Sequence, residues 1–250
     1  MVDYMEIIYW CIFAALMIGE FLVAKVYKLP KKHVIRDWVE PAYEAIIIAT
    51  ILRIFVIQSF AIPTGSMEDS LMIGDHPMAF KFVYGLYNPL QDRLIFDFVK
   101  PQRGDVIIFR DPTGKTNEMW IKRCMAVPGD TIEMKDKVFY LNGKKLDEPY
   151  VVHKDPNLYP FPDQIMKNIP ASITPQMMFQ FFYANRIIAR DNFPKMTVPP
   201  GYIFAMGDNR DNSYDSRFWG FLPYKKLRGK AFCVYWPFNR IKLIKHYKIN

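Results

Sequence analysis

A mostly β domain with an inserted region, anchored by two N-terminal transmembrane helices, is the architecture this sequence predicts. Three observations lead there. Two apolar runs, Ile7–Ala24 and Ala42–Ile62, lie at the N-terminal end. From Leu71 onward, short runs rich in β-branched and aromatic residues alternate with Gly, Pro, Asn and Asp turn signals. Between about residues 150 and 192 that alternation fades.

The first run reads IIYWCIFAALMIGEFLVA, close to the roughly 20 residues needed to cross a bilayer. Glu20 lies near its end, where a charge is tolerated, so a span over about 5–24 is expected. A buried helix of a soluble protein is the competing reading. A cleaved signal peptide is disfavoured, because Asp3 and Glu6 stand where such a segment carries Lys or Arg. Lys25, Lys28, Lys31, Lys32 and Arg36 follow, and a basic loop over about 25–39 beside an apolar span reads as cytoplasmic. The second run is interrupted by Glu44 and Arg53. Charge at the bilayer centre is costly, so the second span, about 40–57, should end near Arg53 with the remainder along the outer surface. Residues 1–57 then form a membrane anchor, and residues 58–250 an extracytoplasmic domain.

Within that domain, Asp105–Arg110 (DVIIFR) is an apolar strand opened by Arg103-Gly104. Pro128-Gly129-Asp130 turns the chain into Thr131–Met134, and Val138–Leu141 meets Asn142-Gly143, a strong hairpin signal. Tyr202–Ala205 follows Pro199-Pro200-Gly201, and Ala231–Tyr235 is a further strand. The region from about 150 to 192 reads as an insertion on the β core, with Ile165–Arg186 partly helical and interrupted by Pro170 and Pro175.

Composition bounds the function. The chain has 250 residues, room for one domain plus extra elements, and is 51% apolar, which excludes disorder. A net charge of +8 points to an acidic partner, nucleic acid or an anionic membrane. With the apolar runs in place, membrane lipid is the better explanation and nucleic acid the poorer. Cys11, Cys124 and Cys233 have no CxxC spacing, so no zinc site is expected; Cys124 and Cys233 can be free or paired.

GxSxG, HExxH and phosphate-loop motifs are absent. "FAIPTGSMEDS" (Phe60–Ser70) instead sets hydroxyls on both sides of Gly65, and Ser66 is either a nucleophile or a turn residue. His33 and His246 fall in the basic loop and the C-terminal tail; His76 and His153 have no motif around them. A Ser66 nucleophile would therefore take a lysine base. Lys122, in "MWIKRCMAVPGD", stands in an apolar strand context that lowers its pKa. Snorkelling from a strand edge is the plainer alternative. "GDNRDNSYDSRFWGFLP" (Gly207–Pro223) is either a polar loop satisfying its own backbone or a buried polar network that orients Ser66 and Lys122.

"IPTGSM", "WIKRCMAVPGD" and "GDNRDNSYDSRFWGFLP", in this order, resemble the signature boxes of bacterial type I signal peptidases (leader peptidases). The two apolar runs and the basic loop resemble that family's Gram-negative topology. The likeness covers most of the chain and weakens from about Tyr150 to Asn192. It implies a fold of coiled antiparallel β-sheets and a membrane-bound serine endopeptidase of the inner membrane. It implies Ser66 as nucleophile, Lys122 as general base, Thr64 as an oxyanion-hole hydroxyl and Ser213 as the hydroxyl that bonds the lysine amine. Arg123, Asp208, Asp215 and Arg217 would form an ion-pair network beside them. The implied substrates are signal peptides of exported preproteins, with small residues at the first and third positions before the cut and extended pairing near Phe60–Thr64 and Glu118–Ile121. No cofactor or metal is implied. Asp69-Ser70 departs from the Pro-Thr that many members carry. Two other readings remain at this level: a Ser–Lys peptidase with a dedicated substrate, and a silent domain that only binds exported chains.

Overall fold

The computed structural model describes residues 34–85, 87–88, 93–94, 98–162 and 173–249, with scattered residues between 11 and 19. The first expected span and residues 25–33 of the basic loop lie largely or wholly outside the described residues. Helix α1, Val34–Ile51, begins inside the stretch expected as a loop, so residues 34–39 are helical. Pro41 sits within it. A π-helical turn, Leu52–Val56, ends the helix, and strand β1 (Ile57–Ser59) starts at once. The helical segment thus ends, and the β-rich part of the chain begins, at Ile57. Among the described residues no helix is long and apolar enough to cross a membrane.

After β1 come β2 (His76–Phe80), the short pair β3 (Tyr87–Asn88) and β4 (Arg93–Leu94), β5 (Val106–Arg110) and β6 (Met119–Ala126). Strands β7 (Thr131–Lys135), β8 (Val138–Leu141) and β9 (Lys144–Lys145) form a meander. Helix α2 (Pro175–Ala184) leads to β10 (Phe193–Thr197) and β11 (Tyr202–Met206). Then follow the short helix α3 (Ser216–Trp219), β12 (Leu222–Pro223), β13 (Leu227–Trp236) and β14 (Lys242–Leu243). The eight-stranded sheet runs β1-β2-β13-β5-β6-β11-β12, with β14 on β13; a four-stranded sheet runs β10-β7-β8-β9. The pairings within both are antiparallel. The expected mostly β, curled antiparallel fold is therefore present. The curl has a local cause: β13 shifts register three times, between Leu227/Gly229, Ala231/Cys233 and Val234/Trp236, and each bulge adds twist.

The hairpin read from Asn142-Gly143 forms as its chemistry requires. Both residues take positive φ, 53° and 81°, the two-residue turn whose twist matches the strands. The β7–β8 turn uses Asp136 and Lys137 at φ 46° and 67°, which the sequence did not mark as a turn of this type. Asn192 Oδ1 accepts from Asp136 N–H and Asp191 O from Lys137 N–H, so the segment leading into β10 holds these L-residues in a left-handed conformation.

The region 150–192 is not a simple outgrowth. Pro175 starts α2 rather than interrupting it, because proline at the first helical position gives up no hydrogen bond. Residues 163–172, including Pro170, lie outside the described residues. Phe179 and Phe182 of α2 enter the main core, where the rings of Phe139, Phe179, Phe193, Phe204 and Phe221 surround one another at centroid separations of 5.6–6.4 Å. The insertion is thereby tied to the back of β11, one strand from β6. Cys124 and Cys233 are both free thiols, and burial pushes the Cys124 thiol up.

Phe204→Ala, at the centre of that ring cluster, should destabilise the protein by about 3–5 kcal/mol. Chemical unfolding of parent and variant in detergent checks this; a loss under about 1 kcal/mol would show that the cluster does not hold the insertion to the sheet.

Candidate active site

Ser66 lies on a single 3-10 turn, Gly65–Met67, packed below the rim of the large sheet. Thr64 enters it in extended conformation (φ −132°, ψ 153°), as the residue after a proline-stiffened segment should. The first amides of such a turn have no acceptor within it, so the Ser66 N–H has no partner inside the turn. Phe60 N–H bonds Pro77 O and Ile62 N–H bonds Asp75 O, which lays Phe60–Ile62 along the chain leading into β2. Ala61, between them, turns its backbone groups to the other side.

That other side is a cleft of about 700 Å³ between Phe60–Thr64 and the first half of β6. β5 covers one edge of β6 from Met119 to Arg123, whereas β11 covers the other only from Arg123 onward. The β6 edge at Met119–Lys122 is therefore open toward the cleft. The two segments expected to pair with a peptide face each other across it.

The structure brings Ser66 and Lys122 together across 56 positions of chain: Lys122 Nζ lies 2.6 Å from Ser66 Oγ. It also donates to Ile121 O at 3.0 Å. Lys122 is only 6% exposed. Burial pushes its amine down from 10.5 to about 8, against the carboxylates of Asp215 and Asp208, while Arg217 adds to the fall. Thr64 Oγ1 stands 3.5 Å from Ser66 Oγ on the cleft side. His76 and His153 do not line the cleft; His153 faces Asp211 at 3.5 Å and His76 packs against Tyr235.

The expected ion-pair network is present as two separate two-pronged pairs. Arg123 Nε and Nη2 donate to Asp208 at 2.9 and 2.6 Å; Arg217 Nε and Nη2 donate to Asp215 at 2.9 and 2.8 Å. Both guanidinia also tie the pairs to backbone. Arg123 Nη1 donates to Gly104 O and Lys245 O; Arg217 donates to Arg190 O and Arg210 O. Burial works to raise Asp215, yet the Arg217 guanidinium and the Gly207 N–H hold it below the usual carboxylate range.

Ser213 departs from expectation. Its buried hydroxyl is placed to help keep Asp215 ionised, yet it completes no hydrogen bond of ordinary geometry with any protein group. The bond to the lysine amine is not made, because Lys122 Nζ is turned to Ser66 Oγ and Ile121 O.

Three residues that the sequence did not single out complete the frame. Asn209 donates its N–H to Ser66 O and its Nδ2 to Gly65 O, each at 3.1 Å, clamping the turn that carries the nucleophile candidate. Ser70 Oγ donates to Asp208 Oδ2 at 2.5 Å, so the departure at Asp69-Ser70 keeps a hydroxyl on the network. Gly207 leaves room where a Cβ would fall 2.3 Å from Ser213 Oγ and 2.4 Å from Ser66 O. Asn209 and Gly207 sit in a box already read as functional, but the need for Gly there is a packing fact that spacing does not encode.

A serine hydroxyl against a buried amine, at the mouth of a cleft with an open strand edge, is an arrangement compatible with a serine peptidase. Residues 35–236 match the family described as signal peptidase, peptidase S26. The chain is 33% identical to a signal peptidase I of Pseudomonas aeruginosa over 232 residues, which is 84% of this chain and 76% of the relative. It is 33% identical to the Pseudomonas fluorescens enzyme over 243 residues (87% and 82%) and 33% identical to that of Aquifex aeolicus over 212 residues (74% and 78%). A crystal structure of a signal peptidase I from Enterococcus faecalis V583 shares 28% identity and covers 53% of this chain and 97% of that one; its TM-score of 0.34 is too low to bear on the fold. The chain belongs to the signal peptidase family, peptidase S26.

The buried lysine fixes a stability sign. Between about pH 8 and 10.5 the unfolded chain holds a proton on Lys122 that the folded chain has lost, so its contribution to stability rises with pH across that window. Below pH 8 the burial costs roughly 3 kcal/mol. Lys122→Met should therefore be more stable than the parent at pH 7, with the difference narrowing toward pH 10.5; denaturant titrations of both across that range check it, and a difference independent of pH would refute it. Gly207→Ala should lower kcat about 100-fold by displacing Ser66, as misplacements near 1 Å do; a kcat within a few-fold of the parent would mean that the site absorbs the methyl group.

Proposed function

We propose that Ser66 is the nucleophile and Lys122 its general base. Family membership makes this chain a serine endopeptidase that cleaves signal peptides. The observation that carries the residue assignment is the 2.6 Å approach of a buried amine to the Ser66 hydroxyl. Neutral Lys122 takes the proton as Oγ attacks the scissile carbonyl. The resulting ammonium protonates the leaving amine, and an acyl-enzyme remains. A water that gives its proton to Lys122 then releases the signal peptide. The Ser66 N–H and the Thr64 hydroxyl supply the two donors that the tetrahedral oxyanion needs. Ser213, whose hydroxyl completes no hydrogen bond of ordinary geometry, would accept from the Lys122 ammonium that forms as Oγ attacks. Asp208, Asp215, Arg123 and Arg217 fix β6, the Gly207–Trp219 loop and the Ser66 turn relative to one another.

The substrate we assign is an extended chain emerging from a bilayer, paired between Ala61 and the open β6 edge. We place residues 1–57 as a two-span anchor in the inner membrane, the basic loop inside and the domain from about residue 58 outside. Two features support a lipid neighbour. Helix α1 exposes Ile46 and Ile48. Phe238 and Leu243, 75% and 78% exposed, lie with the exposed Trp236 and Ile241 in one short stretch of chain, where the Trp236 and Phe238 rings meet edge to face. Arg240 ties that stretch to Asp75 and Ile73, beside the Phe60–Thr64 wall of the cleft.

Ser66→Ala and Lys122→Met should each abolish preprotein cleavage by detergent-solubilised protein; turnover by either variant near the parental rate would remove the dyad assignment. Thr64→Val, which keeps the shape and deletes the hydroxyl, should lose about 100- to 1000-fold in kcat with little change in KM, and Thr64→Ser should keep most activity. Equal behaviour of the two variants would mean that another group completes the oxyanion hole. For topology, Lys32→Cys should resist membrane-impermeant thiol reagents in intact cells while a cysteine near the C-terminus reacts; the reverse pattern would invert the anchor.

A further inference from the structure

The two faces of the β6 edge are built differently. Side chains alternate along a strand, so Met119 and Ile121 pack on the aliphatic side with Ile62 and Ile108. Trp120 and Lys122 project from the other. There Trp120 is wedged against Phe109 and Trp219, with centroids 6.4 Å away in each case. Tyr214 meets it edge to face at 6.0 Å and 69°, and is backed in turn by Phe218 at 5.5 Å. Both Trp120 and Tyr214 line the cleft that holds Ser66 and Lys122. Tyr214 is 44% exposed, and neither the proton transfers nor the ion-pair frame uses it.

We propose that Trp120 and Tyr214 form a subsite for the substrate side chain that lies between the two small ones, and that this subsite takes a branched apolar or aromatic side chain. The proposal rests on the reading of the cleft as the peptide-binding groove. A peptide added to the β6 edge lies in the plane of the sheet and turns successive side chains to opposite faces. Its first and third residues before the cut share one face, and its second takes the other. The aliphatic face beside Ile62 and Ile121 receives the small pair. The second side chain then arrives where Trp120 and Tyr214 stand. Two rings packed from behind offer a rigid apolar wall that loses little freedom on contact. Glycine at that position leaves the wall hydrated, whereas leucine or phenylalanine covers it. A chain region that demands small residues at two positions would thus gain a third point of selection from the opposite face.

The test uses precursors that differ only at the second position before the cut, carrying Gly, Leu or Phe, cleaved by the full chain in detergent. The readout is the ratio of kcat/KM for Leu or Phe to that for Gly. In the parent this ratio should be roughly 3 to 10, the size of an aromatic contact. Tyr214→Ala should bring it close to one, and Tyr214→Phe should preserve it. Selection between Ala and Leu at the first position should be alike in all three proteins. A ratio in Tyr214→Ala equal to the parental one overturns the proposal, as does a change in first-position selection in place of the second. Cleavage by Ser66→Ala, or no cleavage of any precursor by the parent, refutes the catalytic reading and the subsite with it. Tyr214→Leu, which keeps apolar bulk without a ring, separates loss of contact from loss of folding: it should retain an intermediate ratio, and a ratio of one in both Tyr214→Leu and Tyr214→Phe would count against the wall.

Discussion

A lysine amine that must lose its proton inside a protein is the constraint on which the rest of this structure depends. An exposed lysine stays charged at neutral pH and cannot accept the proton of a serine. Lys122 is driven down to about 8 chiefly by burial, with Arg217 the lesser contributor, since the nearest carboxylates pull the other way. The fold therefore has to surround the amine while leaving Ser66 Oγ reachable from solvent. It does so by placing Lys122 at the point on β6 where the covering strand β11 begins, with the half of β6 before it left bare.

That arrangement needs charge close by with its pull on the amine kept below the effect of burial. Asp208 and Asp215 are each occupied on both oxygens by a guanidinium, and those guanidinia in turn end on backbone carbonyls. Removing one partner of such a buried pair leaves an uncompensated charge and typically costs 3–5 kcal/mol. The pairs connect strand β6, the loop after β11, the start of the C-terminal tail and Arg190 in the segment leading to β10. They act as a frame that fixes the lysine-bearing strand against the turn bearing the serine. Gly207 and Asn209 work at closer range, the first by absence of a side chain and the second by holding two carbonyls of the Ser66 turn.

Much of this was legible in the sequence because local chemistry and tertiary demand agree. Asn142-Gly143 specifies its turn type outright, and the DVIIFR strand is continuous in its apolar character because both its faces are covered. Ser66 and Lys122 could be singled out because each is anomalous in its surroundings. What the sequence concealed depends on distant partners. Asp136-Lys137 turns tightly only because Asn192 and Asp191 hold it. Pro175 opens a helix whose apolar face is meaningful only against Phe204 and Phe221. The expected Ser213–Lys122 bond was a matter of side-chain rotation, which no spacing fixes, and the helical character of residues 34–39 was hidden because Arg36 reads as a continuation of the preceding run of lysines.

The most direct test of the account is the protonation of Lys122 itself. Selective carbon-13 labelling of lysine Cε, with Lys122→Met used to assign the resonance, would follow its titration by NMR in the intact protein. The account predicts a midpoint near pH 8, well apart from the exposed lysines at about 10.4. A Lys122 that titrates together with the exposed lysines would contradict it, because an amine still charged near neutrality could not take the proton of Ser66.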